Sequence, residues 1–204
     1  PPHWRRWRPP LEVVAQARAP DDAQRMLAIR GRLIAAELAT VGIDVNCAPL
    51  ADIARPLTHP ILRNRCYGED AEGVAAVARA MAEGLLAGGV LPVVKHIPGH
   101  GRAASDSHRE LPRVDTPREE LERTDFAPFR ALSDLPIGMT AHVVYEAVDP
   151  RAPATVSPVM LRLIREGLGF EGLLTTDDIS MQALSGDVAA RGRAALAAGC
   201  DIVL

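Results

Sequence analysis

The fold is decided by one short stretch, Gly89-Val90-Leu91-Pro92-Val93-Val94-Lys95-His96, in which a continuous apolar run ends in two polar side chains. A short run of this kind predicts a strand over 90–95 that is covered on both faces, as the strands of parallel sheets are. Lys95 is the only lysine of the chain, and the other 22 basic residues are arginine. Because a compact ammonium and a planar guanidinium bind ligands differently, this single lysine predicts contact with a ligand.

Helix and strand patterns alternate on both sides of this stretch. Apolar spacing predicts helices over 21–40, 70–86, 116–133, 157–167 and 189–198, and strands over 43–50, 90–95, 136–142, 172–176 and from 202 onward. Thr116-Pro117-Arg118-Glu119 is typical of a capping box at the start of the third helix. The alternation predicts an α/β fold, either a (β/α)8 TIM-type barrel or an open doubly wound sheet.

The barrel is the favoured architecture. No G-x-G-x-x-G motif follows a predicted strand, so the sequence disfavours the open doubly wound sheet that binds dinucleotides. At 204 residues we expect a single domain. We also expect the barrel to be incomplete here, since the chain begins without Met and ends on the apolar Ile202-Val203-Leu204.

Composition excludes several function classes. Apolar content of 48% and charged content of 24% are ordinary for a soluble globular protein, and a net charge of −3 predicts no general affinity for nucleic acid or membranes. No run approaches the roughly 18 apolar residues of a membrane span. Three widely spaced cysteines predict free, mostly buried thiols in a reducing compartment. We therefore expect a reducing compartment, and we also expect a monomer.

Polar side chains cluster where the predicted strands end. Lys95 and His96 follow one strand, His142 another, and Asp177 and Asp178 a third. The carboxyl ends of barrel strands meet at one face, where barrel enzymes carry their active sites. Asp177 is a candidate nucleophile or metal ligand, whereas Asp178 is expected to cap the next helix.

The loop after the second strand carries a candidate proton shuttle. Asp106 and His108 are two residues apart, so the carboxylate can accept a hydrogen bond from the imidazole and raise its basicity. Such a histidine suits general acid/base catalysis near neutral pH. The alternative is a polar surface loop with local turns.

Four motifs together resemble glycoside hydrolase family 3, and the nearest likeness is to its bacterial β-N-acetylglucosaminidases. They are the run from Lys95 to Gly101, Asp106-Ser107-His108, the stretch from Arg65 to Asp70, and Thr176-Asp177-Asp178-Ile179-Ser180-Met181. Asn46-Cys47-Ala48-Pro49 is similar to the Asn-Phe-Ala-Pro strand end of that family. The likeness extends in order from about Asp21 to the end of the sequence.

The resemblance implies a (β/α)8-type barrel and retaining hydrolysis of terminal β-linked N-acetylglucosamine. Asp177 would be the nucleophile, His108 the general acid/base and Asp106 its partner. The sugar would contact Arg65, Lys95 and His96. The implied substrate is an N-acetylglucosaminyl-anhydromuramoyl peptide from peptidoglycan, processed in the cytoplasm, with no cofactor or metal. The family's first strand, with an Asp and an Arg that bind substrate, is expected before position 1.

Three other functions remain open. The same nucleophile can serve a phosphorylase, because a neutral histidine repels phosphate less than a carboxylate does. A metallohydrolase would use His96, His100, His108 and Asp177, although no H-x-H or H-E-x-x-H pattern occurs. A non-catalytic sugar-binding module would need aromatic platforms, yet aromatic content is 3%. His142 is expected to be a satisfied core histidine, and Asp52 to make a loop hydrogen bond.

Overall fold

The computed structural model describes residues 4–103 and 110–204, and a parallel sheet lies at its centre. The sheet has four strands in the order β1 (Val45–Asn46), β2 (Leu91–Ile97), β4 (Ile137–Thr140) and β6 (Leu173–Thr175). A separate parallel pair joins β3 (Arg113–Val114) to β5 (Val144–Tyr145). The long strands are almost entirely buried, as the continuous apolar runs predict.

Helices occupy the segments between the strands. They are α1 (Pro10–Ala15), α2 (Pro20–Ala39), α3 (Pro60–Arg63), α4 (Ala71–Ala87), α5 (Arg118–Arg123), α6 (Ala127–Ala131), α7 (Pro158–Arg162) and α8 (Val188–Ala198). A 3-10 turn (Ala154–Val156) precedes α7, and a π-helical segment (Leu163–Gly167) continues it.

The strand order decides between the two predicted architectures. From β1 to β6 each strand of the large sheet lies beside the next one along the chain, and Ile202 continues the series through a bridge to Thr175. A doubly wound sheet reverses its order at a switch point, whereas a TIM-type barrel does not. The sheet is therefore of the barrel type that the sequence predicted.

Helices α2 and α4 pack backbone against backbone. A Cβ atom added at Gly31 of α2 would lie 2.6 Å from the Met81 carbonyl oxygen and 3.0 Å from the Leu85 nitrogen, both in α4. Ordinary contact begins near 3.4 Å, so glycine is needed for this approach. This contact fixes the position of α4, which directly precedes β2, the strand that carries Lys95.

The predicted helix over 116–133 is two helices. Thr124 breaks it with φ −115° and ψ −83°, and its hydroxyl oxygen lies 2.7 Å from two acceptors, the Glu120 carbonyl oxygen and the Asp125 carboxylate. Asp125 is buried and pairs with Arg55 and Arg102. This pairing draws the chain inward and interrupts the helical ladder.

The predicted capping box at Thr116 is wrong. Pro117 itself is the N-cap residue of α5, with extended backbone angles and no capping side chain. Thr116 therefore lies outside the helix. Two other helix signals hold: Ser157 caps α7 through the Met160 nitrogen, and Gly199, at φ +122°, ends α8.

The cysteines differ in exposure. Cys66 and Cys200 are buried, and burial raises the pKa of both thiols, that of Cys200 to about 11. Cys47 is exposed. Among the described residues, none of the helices has the length and apolarity to cross a membrane.

Candidate active site

A β-bulge brings the two polar side chains of β2 to one place. Lys95 pairs with Met139 and Ile97 pairs with Thr140, so His96 is an extra residue in the ladder between β2 and β4. Consecutive side chains of a regular strand point to opposite faces, and a bulge removes that alternation. Both side chains are nearly buried, at 8% and 5% residue exposure, and both interact with Asp177.

Asp177 stands where β6 ends, on the same edge of the sheet. One carboxylate oxygen, Oδ1, accepts a hydrogen bond from the Asp178 nitrogen at 2.9 Å. The other, Oδ2, lies 3.7 Å from Nε2 of His96. The side chain is 15% exposed, so this carboxylate can be reached from solvent while its neighbours on β2 are enclosed.

Asp52 is a fully buried carboxylate beneath this edge. It follows β1 and accepts hydrogen bonds from Nδ1 of His96 at 2.7 Å and from the backbone nitrogen of His100 at 2.6 Å. The backbone nitrogen of His96 lies 3.3 Å from both carboxylate oxygens. Burial alone would raise the pKa of Asp52, but the interactions with His96 and His100 outweigh burial and lower it. The group is therefore ionised at neutral pH.

Burial also sets the charge of the neighbouring bases. Burial and, to a smaller extent, the charge of Arg65 lower the pKa of Lys95, while Cys47, Asp177 and Asp52 oppose the shift. Burial lowers the pKa of His100 to about 4, so this imidazole is neutral at pH 7. The site thus combines an accessible carboxylate with one ammonium of reduced basicity.

The two arginines of the stretch before Gly68 have separate roles. Arg63 donates to Glu69 at 2.8 Å and to the Arg55 carbonyl, so it holds the loop together. Arg65 is half-buried and close enough to Lys95 for the two charges to interact. The structure therefore brings Arg65, Lys95, His96 and Asp177 to one region, and their contact with a sugar stays a prediction.

His142 is a satisfied core histidine, as predicted. Its Nδ1 lies 2.8 Å from the Thr155 hydroxyl, and its Nε2 lies 3.1 Å from the Asp178 carbonyl. The second bond ties the end of β4 to the loop that carries Asp177. Burial lowers the pKa of His142, which favours the neutral ring.

The expectation that Asp178 caps the next helix is wrong. Asp187 is the N-cap residue of α8, and its carboxylate accepts from the Ala190 nitrogen at 2.7 Å. The Asp178 carboxylate instead accepts from the Ser180 nitrogen and closes a turn. Nine residues separate Asp178 from the first residue of α8, which is too far for capping.

Two predicted catalytic residues, Asp106 and His108, lie outside the described residues, so their roles stay predictions. Across 4–103 and 110–204, no group of three or more His, Cys, Asp and Glu side chains is arranged to hold a metal ion.

Asp52 is the site residue whose role the sequence reasoning missed. The predicted loop hydrogen bond exists, but its partners are the imidazole and backbone of the β2 end. The signal was its place shortly after β1, since β1 and β2 are parallel neighbours whose carboxyl ends share one edge.

The chain matches the model of the glycosyl hydrolase family 3 N terminal domain over residues 5–204. It is similar to a β-hexosaminidase of Alkalilimnicola ehrlichii, with 41% identity over 192 residues that cover 92% of this chain and 55% of the relative. A β-hexosaminidase of Bordetella parapertussis is 37% identical over 202 residues, covering 96% of this chain and 57% of the relative. The chain thus spans little more than half the length of these relatives.

Solved structures agree with this likeness. The NagZ structure from Neisseria gonorrhoeae with N-trifluoroacetyl-D-glucosamine superposes with a TM-score of 0.86 at 36% identity, covering 96% of this chain and 56% of that one. A family 3 β-N-acetylglucosaminidase from Paenibacillus sp. str. FPU-7 gives a TM-score of 0.85 at 35% identity, covering 97% of this chain and 37% of that one.

Proposed function

Because this chain belongs to glycosyl hydrolase family 3, we propose that the protein is a retaining glycosidase that removes terminal β-linked N-acetylglucosamine. The observation that carries the proposal is the position of Asp177. A partly exposed carboxylate at the end of a strand lies 3.7 Å from the His96 imidazole, which β2 supplies together with the buried Lys95. The names of the similar proteins, β-hexosaminidase and β-N-acetylglucosaminidase, give further support.

In the first proposed step, Asp177 attacks the anomeric carbon. The Oδ2–C1 bond forms while the bond from C1 to the leaving oxygen breaks, and His108 gives its proton to that oxygen. In the second step His108, again a base, takes a proton from water, and the resulting hydroxide displaces the Asp177 ester. Asp106 would support the imidazole in both steps.

The remaining residues would hold the sugar. Lys95 and Arg65 supply donors for sugar oxygens, and His96 faces the same space through Nε2. Asp177 is more exposed to solvent than Lys95 and His96, which suits an attacking group. Enclosure of Lys95 and His96 strengthens their interactions with bound hydroxyls, because the local dielectric is low.

The finer proposal concerns substrate and compartment. We propose that the natural substrate is an N-acetylglucosaminyl-anhydromuramoyl peptide released from peptidoglycan, and that the protein works in the cytoplasm. The family resemblance of the motifs around Lys95 and Asp177 supports both points.

Trapping the intermediate tests the proposal. A fluorinated N-acetylglucosaminyl donor with a good leaving group should leave a sugar on Asp177, identified by mass spectrometry of the peptide. Asp177→Asn should abolish the adduct and lower kcat at least about 1000-fold. Asp187→Asn is the matched control, because asparagine caps α8 equally well and activity should persist. An adduct on any other residue would overturn the assignment of Asp177.

The acid/base assignment needs a separate experiment. His108→Ala should slow hydrolysis of natural sugars severely, while aryl glycosides with very good leaving groups should still form the intermediate. Full activity of this variant on natural sugars would contradict the assignment. Running the wild type in phosphate buffer separates hydrolysis, which gives free sugar, from phosphorolysis, which gives sugar 1-phosphate.

A further inference from the structure

We infer that Asp52 is a positioning residue that holds the His96 proton on Nδ1, so that His96 presents an unprotonated Nε2 to the sugar. The inference rests on the proposed function, in which Asp177 is the nucleophile. It assigns a task in that site to a carboxylate that does not itself face the substrate.

The partners of Asp52 decide where the proton lies. An ionised carboxylate only accepts hydrogen bonds. Asp52 is fully buried, and its Oδ2 lies 2.7 Å from Nδ1 of His96, so Nδ1 must be the donor. Its Oδ1 accepts the His100 backbone N–H at 2.6 Å, and both oxygens face the His96 backbone N–H. Three N–H donors, one imidazole and two backbone groups, therefore point at the single negative charge of Asp52.

A neutral imidazole has one N–H, so a proton on Nδ1 leaves a lone pair on Nε2. The 3.7 Å between this Nε2 and Oδ2 of Asp177 is longer than a hydrogen bond. If Nε2 carried the proton, it would donate toward Asp177 and occupy the oxygen that attacks the sugar. The Nδ1 tautomer avoids this competition.

The lone pair also complements Lys95. An ammonium offers donors only, whereas the unprotonated Nε2 offers an acceptor. A sugar hydroxyl both donates and accepts, so it can bind the two neighbours at once. Through its effect on His96, Asp52 thereby helps to form a site that binds a sugar hydroxyl and leaves the Asp177 carboxylate free of that hydrogen bond.

The protein contains an internal standard for this inference. His142 is also buried, but its Nε2 faces the Asp178 carbonyl, which only accepts. The His142 Nε2 must therefore carry a proton, while Nδ1 lies 2.8 Å from the Thr155 hydroxyl oxygen. Two buried histidines of one molecule are expected in opposite tautomers.

The substitution Asp52→Asn tests the mechanism because it preserves shape and changes one acceptor into a donor. The new amide NH₂ must face either the His100 backbone N–H or Nδ1 of His96. A backbone N–H cannot give up its hydrogen, but an imidazole can move its proton to the other nitrogen. The variant should therefore shift His96 to the Nε2 tautomer, where it donates to Asp177.

The readout is the imidazole nitrogen spectrum of the full chain labelled with ¹⁵N-histidine, at a pH where the rings are neutral. In the wild type, His96 should show a protonated Nδ1 and His142 a protonated Nε2. In Asp52→Asn, the His96 pattern should reverse while that of His142 stays. On aryl N-acetylglucosaminides, kcat should fall about 10- to 1000-fold with a smaller change in KM, the pattern of a wrong tautomer.

Asp149→Asn is the matched control, since this buried carboxylate accepts from the Ser157 hydroxyl and the Arg151 nitrogen instead. It should leave both the His96 spectrum and kcat unchanged. A wild-type His96 protonated at Nε2 would overturn the inference, even if Asp52→Asn failed to fold. An Asp52→Asn variant with lost activity and an unchanged His96 tautomer would also overturn it. The predicted tautomers in a protein without glycosidase activity would support the positioning by Asp52 and refute the proposed function.

Discussion

The contact between α2 and α4 provides a test of the packing that carries the site. In Gly31→Ala the new Cβ would lie 2.6 Å from the Met81 carbonyl oxygen, and the Leu85 nitrogen and Gly84 carbonyl carbon lie within 3.1 Å of it. All three are backbone atoms of one helix, so no side chain can rotate away. Restoring ordinary contact near 3.4 Å requires α2 and α4 to separate by about 0.8 Å.

Overpacking of a core costs about 1–3 kcal/mol, and a rigid backbone neighbour places this substitution at the upper end. Alanine stabilises a helix by about 1 kcal/mol relative to glycine, because its helix propensity is higher. We therefore expect Gly31→Ala to lower the free energy of unfolding by about 2 kcal/mol. Urea unfolding followed by circular dichroism measures this loss, and the slope of the free energy of unfolding against urea concentration should not change.

Gly192→Ala is the matched control. Gly192 is also a buried helical glycine, but the nearest atoms to an added Cβ would be side-chain atoms of Ile179 and Val203 at 3.6–4.0 Å. This variant should gain up to about 1 kcal/mol, so the two variants should differ by about 3 kcal/mol. Equal stability of the two would refute the reasoning that the α2–α4 distance is fixed by backbone contact.

Three further predictions concern the site. The pKa of His100 is lowered from 6.5 to about 4, so between these values the unfolded chain binds more protons than the folded one. The contribution of His100 to the free energy of unfolding should therefore be fully present above pH 6.5, and about 3 kcal/mol should be lost as the pH falls toward 4. Urea midpoints measured across this pH range check this, and midpoints that do not change with pH would contradict it. In the native protein a thiol reagent should modify Cys47 rapidly and the two buried cysteines only after unfolding, and N-acetylglucosamine should slow the first reaction because Cys47 lies near Lys95. Equal modification rates for all three thiols would contradict the exposure of Cys47 and the burial of Cys66 and Cys200. Tyr145→Phe removes the hydrogen bond that the phenol donates to the Gly99 carbonyl, and thermal unfolding should show a loss of about 1 kcal/mol; no loss would mean that this bond does not anchor the loop.

Local chemistry was sufficient to predict most of the architecture. Buried parallel strands are continuous apolar runs, so β2 and β4 were visible as strands. Ser157 and Gly199 marked helix ends through chemistry that acts within a few residues. Lys95 and Asp177 were placed together because parallel strands end at one edge.

Features that depend on distant partners were not visible. The break at Thr124 follows from the pairing of Asp125 with Arg55, which is 70 residues away in the chain. The role of Asp52 depends on His96, 44 residues later, and on the side-by-side position of β1 and β2. Short elements such as β3 and β5 exist only through their mutual pairing. Sequence periodicity carries no information about such lateral contacts.

The bulge at His96 makes the spacing of β2 as important as its composition. Deleting one residue there would restore a regular ladder and turn Lys95 and His96 to opposite sides of the sheet. Inserting one would carry His96 away from the carboxylate beneath it. We therefore expect the length of this strand to tolerate no change, whereas many of its apolar side chains can be exchanged for others of similar size. An engineer grafting this strand into another barrel would need to transplant its irregular pairing together with its residues.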